Sequence, residues 1–176
     1  VENLKKIPKG CGVLFVSNHA SQLDPILVSA SLPFLSRFFP MCFVSLEPKH
    51  YSHIRSARFF YGGRLFRLWG AFPAKRGVGD YEIALKTHIG LLLAGKSVLI
   101  FPEGRRTRDG KIQDPKPGVA FLATRTKAYV VPIAIRGSHK IWHNRRVEII
   151  YGEPFLYNHA DPNPIMQKVA DLFEND

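Results

Sequence analysis

His19 and Asp24 stand five residues apart, directly after the apolar run Val13-Leu14-Phe15-Val16. An imidazole beside a carboxylate is the arrangement of a general base, and a strand end is where an α/β protein presents one. About eighty residues on, a second polar cluster, Phe101-Pro102-Glu103-Gly104-Arg105-Arg106-Thr107, follows another strand-like run. Two polar clusters at two strand ends suggest one active face.

On an unbroken helix, positions five apart lie about 140° around the axis, so His19 and Asp24 need a bend between them to meet. Asp24-Pro25 supplies a helix start, with Asp at the N-cap and Pro at the first helical position, which leaves His19 in the strand-to-helix loop. One carboxylate oxygen is then expected to take a backbone N–H and the other to face the imidazole, fixing its tautomer.

The chain Asn18-His19 through Asp24, then Gly70 to Arg76, then Phe101-Pro102-Glu103-Gly104, then Val131-Pro132-Ile133 resembles the four blocks of the 1-acylglycerol-3-phosphate acyltransferases, from about Val1 to Pro154. The resemblance implies transfer of a fatty acyl group from a thioester, on coenzyme A or acyl carrier protein, to the hydroxyl of a lysophospholipid or related glycerol phosphate. No further cofactor is implied. His19 then corresponds to the base that takes the hydroxyl proton and Asp24 to its orienting partner. Arg76, Glu103, Gly104, Arg106 and Thr107 fall at positions tied to substrate binding, with Arg76 and Arg106 as phosphate-binding guanidinium groups. No Gly-x-Ser-x-Gly elbow is present, and neither Cys11 nor Cys42 has a nucleophile's context, in keeping with a reaction without an acyl-enzyme. The chain departs from the usual blocks at Arg105, Thr107, Pro73 and Lys75. Arg105 and Lys75 add positive charge and favour an anionic acceptor such as a phosphomonoester; Lys75 is equally readable as a solvated surface residue.

A length of 176 residues with 45% hydrophobic content suits one domain with a real core, here taken as residues 1–176. The net charge of +11 gives a positive field that suits nucleic acid, anionic lipid or a phosphate-rich ligand. No zinc-finger, helix-turn-helix or RNA-binding pattern supports nucleic acid. Two cysteines make no disulfide framework and favour a reducing compartment. No run reaches the roughly 18 apolar residues that span a bilayer. Peripheral attachment to the cytoplasmic face of a membrane is therefore expected, with room for an anchor upstream of Val1. The segments from Leu32 to Met41 and from Arg58 to Trp69 mix aromatics with arginine and are readable either as interfacial or as ordinary packing.

Periodicity predicts strands at Gly12 to Ser17, Met41 to Leu46, Ala71 to Ala74, Ser97 to Phe101, Val130 to Ile135 and Arg146 to Tyr151. It predicts helices at Asp24 to Ser31, His50 to Leu68, Asp80 to Ala94, Gly118 to Thr126 and Pro164 to Phe173. The alternation argues an α/β fold, a mainly parallel sheet flanked by helices, with the site at the carboxyl ends of its strands. Pro132 places its strand at an edge or a bulge. Residues Arg105 to Pro117 read as a polar loop in which Asp109-Gly110 forms a turn.

No metal is expected. His139 and His143 have helical ligand spacing but no third ligand nearby, and His50 and His53 are similar. His88 reads as a hydrogen-bonded packing residue, and Gly62-Gly63 is not a phosphate loop. Two other functions fit the same residues: an anionic-lipid-binding module without chemistry, and a thioesterase using the same base on water.

Overall fold

The structure is a computed structural model that describes residues 2–45, 70–75, 77–107, 109–140 and 146–174. The predicted helix from His50 to Leu68, the segment Arg58 to Trp69, Arg76, His50, His53 and His143 lie outside the described residues.

Six strands form one sheet: β1 (Val13–Ser17), β2 (Met41–Ser45), β3 (Ala71–Pro73), β4 (Ser97–Ile100), β5 (Tyr129–Arg136) and β6 (Glu148–Tyr151), in the order β3-β2-β4-β1-β5-β6. All neighbours run parallel except β5 and β6. The fold is thus the mainly parallel α/β arrangement expected from the alternation. The helices are α1 (Asp24–Ala30), α2 (Tyr81–Ala84), α3 (Lys86–Leu93), α4 (Gly118–Thr126) and α5 (Asn163–Glu174).

β1 is central and wholly buried, and its side chains alternate between two cores as the period of a strand requires. Leu14 and Val16 join Leu85, Ile89 and Leu92 of the α2–α3 segment, Leu122 of α4 and Ile165 of α5 on one face. Val13 and Phe15 join Val28 of α1, Leu4 and Ile7 on the other. Apolar side chains on both faces explain why β1 reads as a continuous hydrophobic run.

Three expectations are corrected. The helix predicted from Asp80 to Ala94 is broken at Leu85, because the Ala84 carbonyl accepts the Lys75 backbone N–H at 3.1 Å from outside the helix. Its ends are as predicted: Asp80 accepts from Glu82 N at 2.8 Å, and Gly95 at φ 72° closes it with a bond to the Leu92 carbonyl.

The second correction concerns Pro132, which lies in the interior strand β5, between β1 and β6. The N–H and C=O of one strand residue point to the same neighbour. Gly152 N donates to the Pro132 carbonyl at 2.9 Å, so the missing proline donor also faces β6, and β6 ends one residue earlier, at Tyr151. Gly152 also makes room for the ring, since a Cβ there would lie 2.7 Å from Pro132 Cγ.

Third, Asp24 is the first residue of α1 and not its N-cap, which is Leu23. Its carboxylate turns back into the preceding loop, for the reason given below.

Between α1 and β2 the aromatic-and-arginine segment divides. Leu32, Phe38 and Met41 are core, and Arg37 lies 4.9 Å over the Phe38 ring and donates to the carbonyls of Leu4 and Ile7. Phe34 and Leu35 are 94% and 92% exposed. This turn lies where the chain enters β2, at the opposite end of the parallel strands from the carboxyl ends that lead to His19 and Glu103. Among the described residues no helix is long and apolar enough to cross a membrane.

The entry to β1 carries a tight contact. A Cβ on Gly12 would lie 2.2 Å from the Leu92 carbonyl oxygen, near the end of α3. Backbone cannot yield as a flexible side chain does, so Gly12→Ala is expected to destabilise by about 3 kcal/mol. A urea midpoint unchanged from that of the wild type would contradict this.

Candidate active site

The parallel register of β1 and β4 pairs Val16 with Ile100. The same offset, carried three residues past this pair, sets His19 beside Glu103. There the His19 backbone N–H donates to Glu103 Oε1 at 2.9 Å, and the His19 carbonyl accepts Thr107 N at 2.8 Å. Both main-chain polar groups of His19 are therefore held by the loop after β4. On the other flank, Asn18 bonds Ile135 of β5 twice, with Nδ2 to the carbonyl at 3.0 Å and Oδ1 from the N–H at 2.8 Å. The Asn18 amide replaces a strand residue and fixes the chain as it leaves β1. Sequence reasoning gave Asn18 no role, because nothing in the letters shows that β5 neighbours it.

His19 Nδ1 and Asp24 Oδ2 are 2.9 Å apart, so the bend the spacing demanded is present. Ala20 N and Ser21 N donate to the same Oδ2 at 2.8 and 2.7 Å. Asp24 is fully buried, with 0% of its surface exposed. These loop donors are why the carboxylate points backwards and does not cap α1: it closes the turn that brings the imidazole round. A carboxylate oxygen only accepts, so Nδ1 carries the proton and Nε2 is left with a lone pair. The His19 ring stacks on Phe101, centroids 4.1 Å apart at 21°, and its side chain keeps 19% exposure. Phe101 also escaped the sequence reading, since a strand-end phenylalanine is ordinarily core.

Glu103 is 2% exposed. Burial foremost pushes its carboxyl up to about 7; Asp24 nearby raises it further, while the N–H bonds from His19 and Gln113 and the charge of Arg105 oppose the rise. Below about pH 4.5 this group is neutral in folded and unfolded chains alike. Between about 4.5 and 7 the unfolded chain releases the proton that the folded one keeps, so its contribution to stability is lost as pH rises through the folded value. At 1.36 kcal/mol per pKa unit the total loss is about 3 kcal/mol. Glu103→Gln keeps an oxygen for His19 N and is expected to flatten this decline. Urea midpoints at pH 5 and pH 8 check it, and a parallel fall in both proteins would refute it.

Residues 1–136 match the family described as Acyltransferase. The chain belongs to that family. It is 29% identical over 186 residues to 1-acyl-sn-glycerol-3-phosphate acyltransferase LPAT1, chloroplastic, of Arabidopsis thaliana, an overlap of 99% of this chain and 49% of that protein. It is 30% identical over 169 residues to the chloroplastic BAT2 enzyme of the same name from Brassica napus, covering 96% and 43%. The chain thus spans about half the length of these relatives. In fold it is similar to the 1-acyl-sn-glycerophosphate acyltransferase PlsC of Thermotoga maritima, with a TM-score of 0.69 at 22% identity over 97% of this chain and 68% of that one.

In this acyltransferase-family chain the remaining positions of the third block divide by exposure. Arg106 is exposed, and Arg105, also exposed, donates Nε to Gln113 Oε1 at 2.5 Å. Thr107 is buried, its hydroxyl donating to Asp109 Oδ1 at 2.5 Å. Lys111 N donates to the same oxygen at 3.1 Å, so Asp109 builds the turn with Gly110, as its sequence suggests. Gly104 adopts φ 66° and closes the Phe101–Gly104 turn through its N–H. Lys75 is exposed at the end of β3, in accord with a solvated surface residue.

His88 is fully buried and bonds the Phe72 carbonyl through Nε2 at 3.1 Å, with burial holding its pKa low. It is the packing residue its helix stripe implied. Among the described residues no group of three or more His, Cys, Asp or Glu side chains is arranged to hold a metal ion.

Proposed function

We propose that this chain transfers a fatty acyl group from an acyl thioester to the free hydroxyl of a lysophospholipid, with 1-acylglycerol-3-phosphate as the acceptor. The observation that carries the reading is the His19–Asp24 bond through Nδ1, which leaves Nε2 free on a ring that is still partly exposed. Nε2 takes the acceptor hydroxyl proton as the oxygen forms its bond to the thioester carbonyl carbon. The resulting tetrahedral species expels the thiolate, and the imidazolium returns the proton to the departing sulfur. Atoms and charge balance without a covalent enzyme intermediate and without a cofactor beyond the thioester, whether on coenzyme A or acyl carrier protein. Asp24 stabilises the transient imidazolium and holds the tautomer. Arg76 and Arg106 are assigned to the acceptor phosphate by their places in the second and third blocks, in keeping with the names of the plant relatives. We infer with it a peripheral position at the cytoplasmic face of a membrane, where a lipid acceptor would be met.

The test is thiol release from acyl-coenzyme A and acyl carrier protein donors with and without lysophosphatidic acid. Release that depends on the acceptor is expected. Release on water alone would identify a thioesterase and overturn the reading, as would no release with any pairing.

A further inference from the structure

The loop after β4 carries a lysine that neither the family blocks nor the phosphate assignments above account for. Lys116 donates its backbone N–H to the Pro102 carbonyl at 2.9 Å, which ties the base of its side chain to the Phe101–Gly104 turn. The side chain then runs back across Gly104. A Cβ built on Gly104 would lie 2.9 Å from both Lys116 Cε and Nζ and 3.1 Å from Cδ. The glycine at this place does two things: it takes the left-handed φ of 66°, and it leaves the trough in which the lysine lies. The ammonium is thereby parked one residue from Glu103, whose Oε1 holds the His19 backbone.

The same residues open on a groove of about 430 Å³ lined by Glu103, Arg105, Ile112, Gln113, Asp114 and Lys116. This is within the usual size of small-molecule clefts, about 300–1,000 Å³. Arg105 has committed Nε to Gln113, and among the described residues its two terminal nitrogens make no hydrogen bond. Asp114 brings one carboxylate to the lining, yet among the described residues no carboxylate lies within ion-pair distance of Lys116. A flexible ammonium held over the turn whose Glu103 anchors the His19 backbone, facing a groove with a guanidinium on it, is suited to an anionic oxygen of a small ligand.

We propose that Lys116 is a specificity residue of the transfer site, its ammonium binding a phosphate oxygen of the acceptor across Gly104. The inference rests on the proposed acyl transfer and adds to it a residue that discriminates phosphate-bearing acceptors from neutral ones.

The experiment uses 1-hexanoylglycerol 3-phosphate and its phosphate-free counterpart 1-hexanoylglycerol. Equilibrium binding is measured by calorimetry, and transfer rates by thiol release. Lys116→Gln is expected to raise both Kd and KM for the phosphate acceptor about tenfold, the loss of one charge-assisted hydrogen bond. Its kcat, its KM for the acyl thioester and its use of 1-hexanoylglycerol should stay within twofold, and Lys116→Arg should recover most of the affinity. Unchanged Kd and KM, an effect confined to the thioester, or an equal loss with 1-hexanoylglycerol would each overturn the inference. Transfer that proceeds in both proteins and ignores Lys116 removes this inference alone. Phosphate-dependent binding that weakens in Lys116→Gln while neither protein transfers acyl groups removes the proposed reaction and leaves the phosphate site standing.

Discussion

His19→Ala is expected to lower acceptor-dependent thiol release by about 10³-fold, within the range that a positioned general base contributes. The loss should fall on kcat more than on the KM of either substrate, because the imidazole acts on a proton in flight. The fold should survive it. His19 is held through its backbone N–H and carbonyl, which Glu103 and Thr107 engage whatever the side chain, so alanine keeps both bonds. Its structural costs are the lost stacking on Phe101 and the lost Nδ1 bond to Asp24, whose Oδ2 keeps the Ala20 and Ser21 N–H donors, and the side chain is partly exposed already. Circular dichroism and a urea midpoint close to the wild type's would accompany the kinetic loss. Activity within tenfold of the wild type would remove His19 from the base role.

What the letters show of this site is its chemistry, and what they hide is its neighbourhood. The apolar run before His19 announces a buried strand, and the five-residue spacing to Asp24 demands a bend, both met in the structure. The contact of His19 with Glu103 depends on β1 lying next to β4 in one register, and strand order is written in no local pattern. Pro132 was misplaced for the same reason: a proline forbids one hydrogen bond, but only the end of β6 at Tyr151 shows which neighbour does without it. Helix breaks are similarly non-local. Of the periodic set Tyr81, Leu85, His88 and Leu92, the last three are buried and Tyr81 is exposed, yet the ladder fails at Leu85 because Lys75, ten residues away, takes the Ala84 carbonyl. By contrast α4 runs from Gly118 to Thr126 as predicted, although its end at a left-handed Lys127 is announced by no letter.

Asp24→Asn separates two duties of one oxygen. In the native protein Oδ2 accepts from His19 Nδ1, Ala20 N and Ser21 N at once, a crowd that negative charge makes favourable. An asparagine oxygen can still serve the two backbone donors. The charge that stabilises an imidazolium is gone, however, and an amide NH₂ turned toward His19 would place the ring proton on Nε2 and silence the base. We therefore expect kcat to fall by about 10²–10³-fold, with stability reduced by about 1–3 kcal/mol, the cost of a weakened but still satisfied buried network. Asp24→Ala should be worse in stability, by about 3–5 kcal/mol, since it strands two partly buried N–H groups and opens a hole beneath the loop. The comparison turns on the sign of the difference between the variants. If asparagine and alanine lose activity and stability in the same proportion, Asp24 acts by closing the turn; if asparagine keeps most of the stability while losing most of the rate, its charge acts on the imidazole. The geometry favours the second outcome, because the same oxygen that closes the turn also faces Nδ1.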